Sequence, residues 1–389
     1  VARPAGKGVA VTGPVYLDCN ATTPLEPAVA EVVRRFMEEE YGNAASTVHR
    51  FGTAAHDAVE RARAEVASVV GARADEVVFT SGATEANNLA LLGLASFGEA
   101  SGRRHVVASR LEHKAVLEPL EQLAARGFSV DLIGAGADGR VSVEALKKVL
   151  RPDTLLVSVM QANNETGIVQ PLEEIASLIQ GHPAFFHTDA AQGFGKAISP
   201  LAMPRLDMIS VSGHKIYGPK GIGALILRRR DGALPPLRPL TFGGGQERGL
   251  RPGTLPVPLI AGLGEAARLA LACHAERAAY CLAFRERALT ALAPLRPVIN
   301  GDPDFSLPHA LNVALPRIPA EVAIEALKEL VAISSTSACI SRAKDTSHVL
   351  AAMGVPRPKA ACSVRLAWSH LTPEPDWERV VAVLRKLQG

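Results

Sequence analysis

Leu206-Asp207-Met208-Ile209-Ser210-Val211-Ser212-Gly213-His214-Lys215, residues 206–215, is an apolar run that ends in a small-residue turn and a lysine. The run reads as a buried strand, and a lysine at its end is unusual, because the ammonium group is strongly hydrated and rarely lies deep in a core. Runs of the same kind recur upstream and downstream. Candidate strands are Glu76 to Thr80, His105 to Ser109, Ser129 to Ile133, Leu155 to Met160, Ala184 to His187, Asp207 to Val211 and Gly223 to Leu227. Helical periodicity fills 84–98, 114–126, 142–150 and 172–180 between the earlier ones. This alternation predicts an α/β fold, a mainly parallel seven-stranded sheet with helices on both faces. Pro and Gly concentrate from Leu234 to Pro258; an Ala/Leu/Arg-rich helix near 259–292 follows, then a smaller α+β region to Gly389.

In open parallel sheets ligands bind beyond the carboxyl ends of the strands. Five polar clusters fall there: Ser81-Gly82-Ala83-Thr84-Glu85, Glu112-His113-Lys114, Gln161 to Gly167, Asp189 with Gln192, and His214-Lys215. The first is a small-residue turn opening a helix, whose free N–H groups suit a phosphate. A desolvated lysine is an amine nucleophile. A Schiff-base lysine, with an aspartate for a pyridinium nitrogen, is what pyridoxal phosphate requires of a protein.

Composition excludes several alternatives. At 389 residues with 48% hydrophobic residues, the chain exceeds one compact core and is not of a disordered class. A net charge of +3 is too small to suggest direct nucleic-acid binding. No apolar run reaches the ~18 residues of a membrane span, and the N-terminal fourteen residues lack the apolar core of a signal peptide, so a cytoplasmic protein without membrane contact is expected. The five cysteines, Cys19, Cys273, Cys281, Cys339 and Cys362, form no C-x-x-C, so neither a metal site nor a disulfide framework is expected. Four have packing surroundings. Cys339 lies instead in the small polar run Ser334-Ser335-Thr336-Ser337-Ala338-Cys339-Ile340-Ser341, where a thiol is free to react.

Longer stretches carry a family resemblance: Ala21-Thr22-Thr23-Pro24, Phe79 to Glu85, Glu112-His113-Lys114-Ala115-Val116, Asn163-Asn164-Glu165, the ten residues from Ser212 to Gly221, and Glu247-Arg248-Gly249 through Gly253-Thr254. Together they resemble the NifS/IscS-like cysteine desulfurases, class V enzymes of fold type I that depend on pyridoxal 5'-phosphate. The resemblance implies three parts: an N-terminal segment (1–27) packing with the small domain, a large cofactor-binding domain (28–262) and a small α+β domain (263–389) carrying the Cys339 loop. It implies Lys215 as the Schiff-base lysine, Asp189 on the pyridine nitrogen, Gln192 on the phenolic oxygen and His113 on the ring face as an acid or base for the thiol. Thr84, Ser212, His214 and the backbone of Ala83 would bind the phosphate, with Thr254 reaching the phosphate of a partner subunit in a homodimer. Asn164 and Arg365 would grip the carboxylate of L-cysteine, and Cys339 would take its sulfur as a persulfide for a sulfur-acceptor protein. Iron–sulfur cluster assembly, tRNA thiolation and DNA phosphorothioation all draw on this chemistry.

Two features depart from the family pattern. Thr336 stands where relatives usually have glycine, and the sequence stops at Gly389, without the tail by which some relatives dock an iron–sulfur scaffold. The alternative within the superfamily is a selenocysteine lyase or cysteine-sulfinate desulfinase. Those relatives often present Arg-x-Gly-His-His-Cys at the thiol, whereas this chain has Thr336-Ser337-Ala338-Cys339.

Overall fold

The computed structural model describes residues 13–335 and 347–389. After a short strand β1 (Val15–Tyr16), the chain builds one sheet from β2 (Val77–Thr80), β3 (His105–Ser109), β4 (Ser129–Ile133), β5 (Thr154–Ser158), β6 (Phe185–Asp189), β7 (Met208–Ser212) and β8 (Gly223–Leu227). Their spatial order is β2-β8-β7-β6-β5-β3-β4. Pairing is parallel from β7 through β4, while β8 runs antiparallel to both of its neighbours. The reversal follows from chain length. Only Gly213 to Ile222 separates β7 from β8, too little for a crossover back to the same end of the sheet. That tight return holds His214 and Lys215 at the carboxyl end of β7.

All strands of this sheet except the edge strand β4 are buried along their whole length. Alternate residues feed two cores. Val107, Val157, Phe186, Ile209 and Ile226 face one; Val106, Leu156, Phe185, Met208 and Leu225 face the other. This is the covering on both faces that near-continuous apolar strands demand.

The remaining strands are β9 (Val298–Ile299), β10 (Ala310–Ala314), β11 (Val331–Ala332), β12 (Ser334–Ser335) and β13 (Ser363–Ala367). Four of them form an antiparallel sheet in the order β12-β13-β10-β9. Strand β11 pairs in parallel with β1, Val15 opposite Val331, so the N-terminal segment is built into the C-terminal region. Leu17 joins a separate core there with Phe284, Val313, Leu366 and Trp368.

Two predicted helices are each divided in the structure. The 84–98 stretch forms Ala83–Leu92 and Ala95–Ser101. The break falls at Gly93, where a side chain would lie 2.3 Å from the Leu89 carbonyl and 3.0 Å from that of Arg238. The 259–292 helix forms Val257–Ala272 and His274–Leu292, with a bend of 74° between the two arms. The first packs into the sheet's core and the second into the C-terminal core, so each arm follows its own apolar partner. Among the described residues no single helix is long and apolar enough to cross a membrane.

Glu247 ties three parts of the large sheet's surroundings together. Its Oε1 accepts from Arg63 Nη2 at 2.8 Å, while Oε2 accepts from Arg63 Nη1 at 2.8 Å and from the Phe79 N–H at 2.7 Å. The two side chains are 1% and 8% exposed. Removing one member of a buried pair strands the other charge and costs about 3–5 kcal/mol. Glu247→Ala is therefore expected to lose about 3–5 kcal/mol of stability in urea denaturation; a loss below about 1 kcal/mol would show that Arg63 finds other solvation.

Candidate active site

The carboxyl ends of the strands open onto a cavity of about 680 Å³, within the range of small-molecule sites. Its wall includes Ala83, Thr84, His113, Asn164, Asp189, Gln192, Ser212, His214, Lys215 and Arg365. Ten of the twelve sequence-predicted site residues thus share one cavity. Thr254 does not. It lines a second cleft with Asn43, His56, Arg63 and Gln246. Cys339, with Thr336, lies outside the described residues.

Lys215 Nζ donates to the backbone carbonyls of Asn20 and, at 2.8 Å, Ala21. Burial pushes its pKa down to about 8; Lys196 and Arg365 push the same way, and Asp18 and Asp189 oppose them. The amine is thus far closer to its nucleophilic form at neutral pH than an ordinary lysine.

Asp189 ends β6 with both oxygens held. Oδ1 accepts the Ala191 N–H at 2.9 Å and Oδ2 accepts Asn87 Nδ2 at 2.7 Å. Asn87 is fully buried on the helix Ala83–Leu92, and its Oδ1 has no partner among the described residues. Gln192 donates Nε2 to the Asn20 carbonyl at 2.9 Å and keeps a buried Oε1 that has no partner among the described residues.

His113 caps the helix Lys114–Ala125, its Nδ1 accepting the Ala115 N–H at 3.1 Å. The neutral ring therefore carries its proton on Nε2. Burial holds its pKa below the usual imidazole value, with Lys215 and His348 acting in the same direction against Asp189. Protonating Nδ1 would break the cap, a further reason for the ring to stay neutral.

At the other end of the cavity, Gly82, Ala83 and Thr84 open the helix Ala83–Leu92 beside Ser212, His214 and Lys220. Backbone approach is close here. A side chain at Gly223 would lie 2.6 Å from Gly82 Cα. His214 Nδ1 lies 3.1 Å from Thr22 Oγ1, and burial, then Lys215 and Lys220, pushes its pKa down to about 4. Free N–H groups, two hydroxyls and an ammonium form an anion cradle. An acidic partner for a ring nitrogen, an unpartnered buried amide oxygen and this cradle fit pyridoxal phosphate.

Arg365 stands across the cavity on β13. Its Nη1 donates to the Asn164 carbonyl at 2.9 Å and its Nη2 to Asp18 Oδ1 at 2.6 Å, while the buried Nε has no partner among the described residues. Among the described residues the four other cysteines form no disulfide. Burial pushes the Cys19 thiol up, and the Cys281 thiol up to about 12.

Asn20, Asn87 and Asp18 were not identified as site residues from the sequence. Asn87 left a faint signal, a polar residue at helical spacing from the apolar Ala83, Ala90 and Leu91. Asn20 and Asp18 precede the first helix and left none, because folding alone brings them to the cavity wall.

The family model for class-V aminotransferases matches residues 15–365. The chain is 42% identical over 381 residues to the cysteine desulfurase IscS of Serratia proteamaculans, covering 97% of this chain and 93% of that protein. The crystal structure of DndA from Streptomyces lividans is similar at 50% identity and a TM-score of 0.79, over 90% of this chain and 98% of that one. The structure of SspA in complex with cysteine is similar at 35% identity and a TM-score of 0.79, over 91% and 98%.

The lowered Lys215 pKa has a direct readout. In cofactor-free protein, reductive methylation of Lys215 by formaldehyde, followed by mass spectrometry, is expected to titrate with a midpoint near pH 8, well below an ordinary lysine. Below that pH the amine is protonated and reaction falls about tenfold per unit. Lys196→Met removes a like charge and is expected to move the midpoint upward; a wild-type midpoint above about pH 10 contradicts the assignment.

Proposed function

We propose how the residues of this chain, which belongs to the class-V aminotransferase family and within it to the cysteine desulfurases, divide the work of taking sulfur from L-cysteine. The enzyme depends on pyridoxal phosphate, which when bound supplies the electron sink for the substrate's carbon skeleton. The observation that carries the reading is the meeting of Lys215, Asp189, His113 and Arg365 around one cavity.

Lys215 is the amine that would hold the cofactor and, when free, would carry protons to and from the substrate. Asp189, its carboxylate fixed by Asn87 and the Ala191 N–H, keeps a proton on the ring nitrogen. Gln192 serves the phenolic oxygen; Ala83, Thr84, Ser212 and His214 serve the phosphate. Asn164 and Arg365 orient the substrate carboxylate, for which the planar guanidinium is suited. His113 would lie against the ring and offer its Nε2–H to the substrate sulfur, so the neutral imidazole would begin as a hydrogen-bond donor.

The Cys339 thiolate then attacks that sulfur. A sulfur–sulfur bond forms, the carbon–sulfur bond breaks, and the carbon fragment gains a proton to leave as L-alanine. The persulfide on Cys339 passes its outer sulfur to an acceptor protein. Thr254 lies away from this subunit's cavity, which accords with its serving a partner subunit in a homodimer. The four unpaired cysteines accord with a reducing compartment, the cytoplasm.

Lys215→Ala is expected to lower alanine formation roughly 10²–10⁴-fold, the size of a proton-transfer contribution, and to abolish the absorption band of lysine-bound cofactor. Cys339→Ala is expected to retain that band and to respond spectrally to L-cysteine, yet to release neither alanine nor sulfide. Mass spectrometry of wild-type protein after L-cysteine is expected to find the added sulfur on Cys339. A sulfur adduct on Cys19, Cys273, Cys281 or Cys362 with Cys339 unmodified would overturn the mechanism. Turnover that survives Cys339→Ala would favour the selenocysteine-lyase reading.

A further inference from the structure

Arg365 is 5% exposed, and a buried cation needs a counter-charge. Asp18 supplies it, with Oδ1 2.6 Å from Nη2. Asp18 also lines the cavity, so the pair sits within reach of whatever enters it. A guanidinium offers two planar forks to a carboxylate, Nε with Nη2 and Nη1 with Nη2, and both include Nη2. The atom shared by the two forks is the one Asp18 holds. Beside it, Nε is buried and has no partner among the described residues, half of a fork that they leave open.

Asp18 is anchored independently of this pair. Its carbonyl accepts Tyr16 Oη at 3.0 Å and the Ala21 N–H at 2.9 Å, and its backbone bridges to Ala367. Ser334 Oγ donates to the same Oδ1 at 2.9 Å. The carboxylate can therefore leave Arg365 and keep a hydrogen-bond donor.

We propose that Asp18 is an internal stand-in for the substrate carboxylate, holding Arg365 in the empty site and giving up Nη2 when the amino acid binds. This rests on the reading of Arg365 as the carboxylate clamp. Two carboxylates cannot share one fork without like-charge repulsion. Substrate binding is then an exchange of one carboxylate for another, and its affinity is the difference between them. The device keeps the buried cation neutralised at every stage. It also weakens the hold on any carboxylate ligand, the product alanine included, which favours turnover over retention. Neutral thiols cannot make the exchange and are discriminated against.

The test uses the holoenzyme and propionate, a carboxylate without the amino group needed to react with the cofactor. Calorimetry gives its affinity in wild type, Asp18→Asn and Arg365→Gln. Asp18→Asn keeps the side chain's shape and removes its charge. It is expected to bind propionate about tenfold more tightly or better, the effect of removing a competing charge-assisted hydrogen bond, and to lower the KM for L-cysteine without raising kcat. Asp18→Ala carries the same expectation should the asparagine variant not fold. Unchanged or weaker binding in Asp18→Asn, with binding lost in Arg365→Gln, would overturn the stand-in and leave the clamp standing. Undiminished propionate binding in Arg365→Gln would overturn the clamp itself, and the stand-in with it.

Discussion

The turn that carries Lys215 is held by a backbone clamp from the N-terminal segment, and the rest of the site is arranged around that clamp. The carbonyls of Asn20 and Ala21 accept hydrogen bonds from the lysine Nζ. Thr23 takes hold of both sides of the turn. Its N–H and its hydroxyl both donate to the His214 carbonyl at 3.0 Å, and its Oγ1 accepts the Tyr217 N–H at 3.0 Å. Glu26 N–H closes the clamp on the Tyr217 carbonyl at 3.0 Å. Tyr217 itself sits at φ 65°, a left-handed conformation that a bulky side chain rarely adopts. Such a conformation persists only where its surroundings over-determine it, and these hydrogen bonds are the surroundings.

The same segment joins the two halves of the molecule. Upstream of the clamp, β1 extends the C-terminal region, and Asp18 meets Arg365 there. Downstream, Arg277 and His370 both reach Glu26, at 2.8 and 2.9 Å. A cavity with one wall from the large sheet and another from β13 is therefore fixed by a short piece of chain that touches both.

Buried carboxyls brace the loops between. Glu112, fully buried, accepts Ser109 Oγ at 2.6 Å and the Met160 N–H at 2.7 Å, linking the ends of β3 and β5 just before His113. Burial pushes its pKa up to about 8, so near neutrality it is chiefly a neutral, hydrogen-bonding strut. Glu165, following Asn164, accepts Ser347 Oγ, and burial pushes its pKa up to about 7. Neither group adds a full buried charge to a cavity that already holds Lys215, Arg365, Asp18 and Asp189.

The strands of the large sheet, the parallel core and the lysine at its edge were legible in the chain itself, because buried strands leave uninterrupted apolar runs and their ends leave polar punctuation. So were His113, Asp189, Gln192 and Lys215, each at a strand end. The breaks in the helices were not, since Gly93 and the bend at Cys273 answer to contacts with distant residues. Asn87 behind Asp189, Asn20 over Lys215 and Asp18 on Arg365 act across separations that no local pattern encodes. Local periodicity determines which segments become strands and helices, because it depends on neighbours in the chain. The charge balance of the site depends on neighbours in space, and only the packing of the N-terminal segment between the large sheet's lysine turn and the C-terminal region decided it.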